Sequence, residues 1–416
     1  MDDYSISYMD DRDIGGYSYV KVVGWLLLMT VGFGLIWFNY GFFNYLFVAI
    51  LGYYFLRCSG DDVIGRKWYV AYIVAVMGSC AYSYLYNHQN PVSVFAYSYP
   101  YIGIFSIFIF AFYRVSLRQA ERAMMCLSVL WCCCYLIQWV LYPKLILWTG
   151  ALDDTNINDT MFRMRLPGSI CAYCLFLYGI NKWMIYKRPG YILYTVLGML
   201  PIFIQGFRSL TTGIVLCGFI MIGIISKKVW KTVLWFVVFC ILGFAATQVP
   251  IVGEKIEEMV ERNEDDQTFA NEDYIRYFEY DYFANEFFVK PGEKFFGGGA
   301  SLFDKTDYGR KLMLAEDRFG FYWVDLGLVG LSWIIGIPAV ICLLVIIYKN
   351  VKYCRGSGIQ YVRFTLIAVT LASAVTSMEL FRNGNMVIIG LMLYIISRAN
   401  EDSLDELVED SQNEEK

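Results

Sequence analysis

Histidine is nearly missing from this chain: His88 is the one copy in 416 residues, and it falls in a short polar turn. A zinc site is therefore not expected, because no clustered imidazoles are on offer. Charge is scarce as well. Asp, Glu, Lys and Arg make up 17% of the residues against 58% apolar and 18% aromatic, with a mean hydropathy of +0.47. That balance excludes a soluble globular enzyme and a disordered chain. A basic leader with a small-residue cleavage site is lacking at 1–20, where Asp2, Asp3, Asp10, Asp11 and Asp13 surround Arg12, so the first apolar run is expected to stay in the protein. Neither the short alternating segments of a β-barrel nor an arginine-rich voltage-sensing span occurs. Gly297-Gly298-Gly299 is followed by no Lys-Ser or Lys-Thr pair, which removes it from the phosphate-binding P-loops and leaves a loop hinge at Gly297 and Gly299 as the expectation.

What is abundant is apolar length. Runs near 21–38, 40–56, 68–86, 94–113, 123–142, 168–186, 190–205, 209–225, 230–249, 319–347, 362–380 and 384–397 each approach the ~20 residues that a helix needs to cross ~30 Å of hydrocarbon. The expected fold is all-α: a polytopic integral membrane protein of about twelve transmembrane helices. Basic residues orient it. With the N-terminus inside, twenty Lys and Arg fall in inner segments and five in short outer ones, which predicts that both termini are cytoplasmic. The expected organisation is a cytoplasmic segment at 1–20, nine helices over 21–249, one large outer loop domain at 250–318, three helices over 319–397 and an acidic cytoplasmic tail at 398–416, read as disordered. Within the loop, 17 acidic and 8 basic residues lie between Pro250 and Asp317, and the spacing of Tyr274, Tyr277, Phe278 and Tyr282 after Asn271 predicts an amphipathic helix. Ten of the twelve cysteines lie inside apolar runs, so they are read as small packing residues rather than disulfide or metal partners.

Ionisable groups at membrane depth are costly, and those at the outer boundary are the functional candidates. Arg163 and Arg165 precede the sixth span, Arg208 occupies the turn Gln205-Gly206-Phe207-Arg208-Ser209, and Arg382 lies in the turn before the last span. Guanidinium stays charged and donates two parallel hydrogen bonds to a phosphate, which suits a membrane-borne diphosphate. The competing reading pairs these arginines with Asp153, Asp154 or Asp159, or has them snorkel to headgroups. Glu316 and Asp317, just before an apolar span, are either a general base of raised proton affinity or acids favoured in a first helical turn. Tyr82, Tyr84, Tyr86, Tyr97, Tyr99 and Tyr101 read as an interfacial aromatic belt rather than a sugar platform.

Four stretches together resemble the O-antigen polymerase and O-antigen ligase superfamily, multi-span bacterial enzymes acting on undecaprenyl-diphosphate-linked glycans. They are Arg165-Leu166-Pro167-Gly168, Gly206-Phe207-Arg208-Ser209, the Gly-rich Phe296-Gly297-Gly298-Gly299-Ala300, and Glu316 eleven residues ahead of Gly327-Leu328-Val329-Gly330. The similarity covers about Asp159 to Val340. It departs from the ligase pattern in having no histidine at Glu316 or Asp317, which leans toward the polymerase branch. The resemblance implies a GT-C-like architecture in the bacterial inner membrane and a metal-independent, cofactor-free glycosyltransferase of capsular or lipopolysaccharide biosynthesis. Arg163, Arg165, Arg208 and Arg276 would hold the diphosphate, and Glu316 or Asp317 would take the acceptor proton. Donor and acceptor would be undecaprenyl-diphosphate-linked oligosaccharides, with membrane lipids, a flippase and a chain-length regulator as further partners and no nucleic acid. A ligase-type transferase is the near alternative, and a lipid-linked oligosaccharide flippase or transporter the alternative of another class.

Overall fold

The computed structural model describes residues 41–58, 63–141, 166–205, 208–227, 275–302, 306–354, 356–375, 379–382 and 384–414, besides Gly24 and Trp230. Every regular element among them is helical. The expected spans at 21–38 and 230–249, and most of the outer loop before Ile275, lie outside the described residues.

Local chemistry sets many of the helix ends. After α1 (Gly41–Arg57), α2 (Arg66–Asn87) stops where His88 takes a left-handed conformation, φ 53°. The next helix, α3 (Pro91–Tyr97), starts at once: Asn90 Oδ1 accepts from the amides of Val92 at 3.0 Å and Ser93 at 3.2 Å, and Pro91 has no amide to satisfy. The chain bends by 54° into α4 (Tyr99–Phe112), so the run expected as one span at 94–113 is a broken pair. The α5 helix (Leu117–Val140) is capped by Ser116. The α6 helix (Ile170–Tyr186) ends on left-handed Lys187 before Arg188-Pro189, a sequence that cannot continue it, and turns into α7 (Gly190–Gln205) and then α8 (Arg208–Ser226).

In the loop region α9 (Ile275–Asp281) runs into a wider π-helical turn at Tyr282–Phe287, and α10 (Asp307–Phe319) follows. The run expected as one span at 319–347 is two helices, α11 (Gly327–Ile335) and α12 (Ile337–Tyr353), which together with the preceding turn bend by 118°. The break is at Gly336, φ 90°, with Pro338 opening the next helix. The chain closes with α13 (Gln360–Val375), a 3-10 turn at Glu379–Phe381, and α14 (Asn385–Glu414). That last helix runs on through residues expected as a disordered tail. Its segment after Ala399 contains no Gly or Pro and many good helix formers, and Arg398 Nη1 reaches Glu401 Oε2 at 2.9 Å one turn on.

Two of these helices, α2 and α5, are long and apolar enough to cross a membrane alone, or up to four spans form if each bent pair is one. The α2 helix packs on α12 and α3, and α5 on α6, α7 and α14, around a core of buried Tyr72, Phe108, Trp131, Tyr173 and Leu366. Cys132, Cys171 and Cys174 are fully buried in it. The tightest pair is α6 with α7. A Cβ built on Gly198 would come within 2.5 Å of the Phe176 amide nitrogen, and one on Gly179 within 2.5 Å of the Thr195 nitrogen. The missing side chains let the two backbones touch.

Candidate functional site

Polar side chains gather at one end of the bundle, where α6, α13 and α14 have their turns. Glu379 is wholly buried, yet it is met on several sides. Tyr173 donates to its Oε1 at 2.8 Å, and Ser169 donates to the same oxygen. Arg382 Nε lies 2.9 Å from its Oε2. Asn385 ties the pieces together: its Nδ2 reaches the Glu379 carbonyl at 2.6 Å and Ser169 Oγ at 3.1 Å, while its Oδ1 accepts from the Ile170 amide at 3.2 Å. That last bond satisfies an orphan amide in the first turn of α6 from a residue 215 positions away. Tyr173 also lies 3.3 Å from Gln205 Oε1 at the end of α7. Gly168 and Gly384, both at positive φ, face each other at this junction, and Trp131 Nε1 clamps the Pro167 carbonyl at 2.7 Å. A buried carboxylate is tolerable only when paired and hydrogen-bonded in this way, and it fixes the Arg382 guanidinium in return.

Beside this junction sits a second carboxylate corner. Gly327 packs on the Ser373 carbonyl, and Ser373 Oγ accepts from the Leu380 amide at 2.9 Å, so the turn Trp323–Leu326 lies against the Glu379 end. Glu279 of α9 is 2% exposed there. Its Oε1 accepts from the Tyr322 amide at 3.2 Å, and its Oε2 has no hydrogen-bond partner among the described residues. Burial pushes its carboxyl up to about 7, the Tyr322 amide works against that, nearby Asp325 adds to it and the Arg276 guanidinium lowers it. Glu316 is half-buried on α10, on the side of Leu312, and burial with Asp317 as neighbour pushes it too up to about 7. Asp317 itself is exposed. Carboxyls of this affinity can accept a proton at neutral pH and give it back, the property a general base needs.

No protein-family model matches this chain, and no curated protein matches it. The reading of the site therefore rests on its own side chains. Arg163 and Arg165 lie outside the described residues, and Arg208 opens α8. Along the chain Arg165 is one residue before buried Leu166, and Arg208 three residues after buried Gln205. Arg276 belongs to the Glu279 corner. The expected hinge is a docked strap instead. The amides of Gly298 and Gly299 donate to the carbonyls of Trp333 at 2.7 Å and Ile334 at 3.0 Å, and Asn87 Nδ2 holds the Gly298 carbonyl at 2.9 Å. Gly297 and Gly299 are buried in that contact, where a side chain would strike α11 or α2. Among the described residues no group of three or more His, Cys, Asp or Glu is arranged to hold a metal ion.

Sequence reasoning singled out Arg382 but passed over Glu379, although an acid three residues before an arginine at the edge of an apolar run was a signal. For Glu279 no local signal existed. It is one of 17 acids between Pro250 and Asp317, and only its neighbours distinguish it.

Proposed function

We propose that this chain is a twelve-span inner-membrane glycosyltransferase of the O-antigen polymerase kind, which joins undecaprenyl-diphosphate-linked repeat units on the outer face of the membrane. In this reading the Glu379 end faces outward and both termini are cytoplasmic. Arg165 and Arg208 grip the donor diphosphate, with Arg163 and Arg276 adding positive charge, and the isoprenoid tail lies between helices. The acceptor hydroxyl oxygen attacks the anomeric carbon, the bond from that carbon to the diphosphate oxygen breaks, and the electron pair leaves with the diphosphate. The hydroxyl proton passes to Glu316 or Asp317. Fixed guanidinium charge aimed at the leaving group favours the transition state more than the ground state.

The observation that carries the reading is the meeting at one buried junction of Ser169, Tyr173, Gln205 and the Glu379–Arg382 turn; along the chain Arg165 stands four residues before Ser169 and Arg208 three after Gln205. Glu316, with a carboxyl pushed up to about 7, supplies the general base that the reaction requires. The test is glycan size in a deletion strain complemented with Glu316→Gln, Asp317→Asn or Arg208→Ala. The expected outcome is long-chain polymer with the wild-type gene and accumulating single repeat units with Arg208→Ala and with one of the two acid variants. Normal polymer in the deletion strain rejects the reading. Loss of attachment with chain length preserved points to a ligase, and full function of both acid variants points to a flippase or transporter.

A further inference from the structure

At the opposite end of the bundle a pocket of about 1020 Å³ opens between α5, α6 and the start of α7. Four of its lining residues are basic, Arg118, Arg122, Lys182 and Arg188, and one is acidic, Glu121. That acid is already committed: Lys182 Nζ lies 3.2 Å from its Oε1 and Tyr361 donates to the same oxygen at 3.0 Å. Lys182 is 5% exposed, with its ammonium 5.4 Å from the centre of the Tyr178 ring. Arg122 and Arg188 are exposed and have no carboxylate at ion-pair distance among the described residues. The pocket therefore keeps a net positive charge at its mouth. Its long wall changes character in an ordered way. Arg118, Arg122, Met125, Val129 and Cys133 follow helical spacing on one face of α5, so the lining is basic over the first turns and apolar over the rest of a stripe ~22 Å long. Facing it, Tyr178, Tyr191 and Tyr194 form a ring cluster with centroids 5.9 to 6.2 Å apart. Leu130, 44% exposed, leaves the apolar part open on the side of the bundle.

A positive mouth, an amphipathic aromatic wall and an apolar slot in line with it match an amphiphile with an anionic head. From this geometry we infer that the pocket binds a phosphate-bearing membrane lipid, with the phosphate on Arg122 and Arg188 and an acyl or isoprenoid chain along Met125, Val129 and Cys133. Lys182 and Glu121, locked together, set the floor. A soluble phosphate compound would use the mouth but gain nothing from the apolar slot, which is why the lipid is the occupant. The inference rests on the membrane reading of the fold and not on the glycosyl-transfer step.

The experiment uses the full-length protein in a neutral detergent, titrated with dioleoyl phosphatidylglycerol, dioleoyl phosphatidylcholine or inorganic phosphate and read by native mass spectrometry. Retention in the membrane fraction after carbonate washing is checked first, so that failure of the membrane reading is seen separately. Phosphatidylglycerol is expected to bind in preference to phosphatidylcholine. Arg122→Gln with Arg188→Gln should weaken it about tenfold or more, whereas Arg122→Lys with Arg188→Lys should retain most of it, and Lys352→Ala, an exposed basic position outside the pocket, should change nothing. Equal binding of the two lipids, indifference to the double glutamine variant, an equal loss with Lys352→Ala, or inorganic phosphate competing as well as the lipid would each overturn the assignment. A thermal midpoint matching wild type, together with the lysine variant, guards against misfolding.

Discussion

Glu279 shows how much of a residue's chemistry is decided by what folds over it. In an unfolded chain its carboxyl titrates near 4.5, and in the folded protein it is pushed up to about 7. Between those values the native state holds a proton that the unfolded state has released. Stability therefore falls as pH rises through that window, and the full cost of burying the charge is present above it. Replacing it by Gln, which mimics the protonated form, should flatten this part of the pH profile and leave the protein more stable than wild type at pH 8, with little difference at pH 4. Chemical denaturation of the purified protein across pH 4 to 9 checks this, and an unchanged slope would remove Glu279 as a buried acid. Glu316 shifts in the same direction, so its contribution should persist in the variant.

Among elements, the α6–α7 hairpin joins the two ends of the bundle. Its turn at Lys187–Pro189 is short and stiff, and its helices approach closely because Gly179 and Gly198 offer no side chain. Gly198→Val would set a branched side chain against the Phe176 backbone, which can yield only by moving a whole helix. The expected loss is about 2 kcal/mol or more, against much less for Gly213→Ala on α8, where nothing lies within 4 Å of the added carbon. Thermal midpoints of the two variants make the comparison. The bend at Gly336 belongs to the same scale. It lets α11 turn aside and receive the glycine strap at 297–299, which a straight span over 319–347 would not allow.

For the whole molecule, polar networks stand at both ends with apolar packing between them. Ser169, at the N-cap of α6, and Lys182 near its other end are separated by roughly 20 Å of helix. The networks share no side chain, so they should act independently. Glu379→Gln, which strands Arg382, and Glu121→Gln, which strands Lys182, should each destabilise by about 2 to 3 kcal/mol, and the double variant by the sum within about 0.5 kcal/mol. A markedly smaller combined loss, measured by unfolding in detergent, would mean that the ends are coupled through the core.

Helix positions were largely legible beforehand. The expected 190–205 and 209–225 fall on α7 and α8, and 68–86 on α2, because apolar length ended by Lys187-Arg188-Pro189, His88-Gln89-Asn90 or Gly206 is local information. Arg382 was legible for the same reason, as a charge in the turn before the last apolar run. The bends within 94–113 and 319–347 have local marks too, Pro100 in one and Gly336-Ile337-Pro338 in the other, but apolar length on both sides of each mark hides them from a reading based on length alone. Beyond Ala399 the chain stays helical despite its polarity, because helix propensity there is high and no Gly or Pro interrupts it.

The amino-acid order by itself determined that this protein is helical, that several of its segments have the length and apolarity of membrane spans, and where charged turns interrupt them. Those properties depend on neighbours a few residues apart. Which carboxylates are buried, which arginine is pinned, and which face of α5 opens into a pocket were decided only by the tertiary structure. Glu379 meets Ser169 from 210 residues away and Glu121 meets Tyr361 from 240, and desolvation follows from such encounters rather than from sequence spacing.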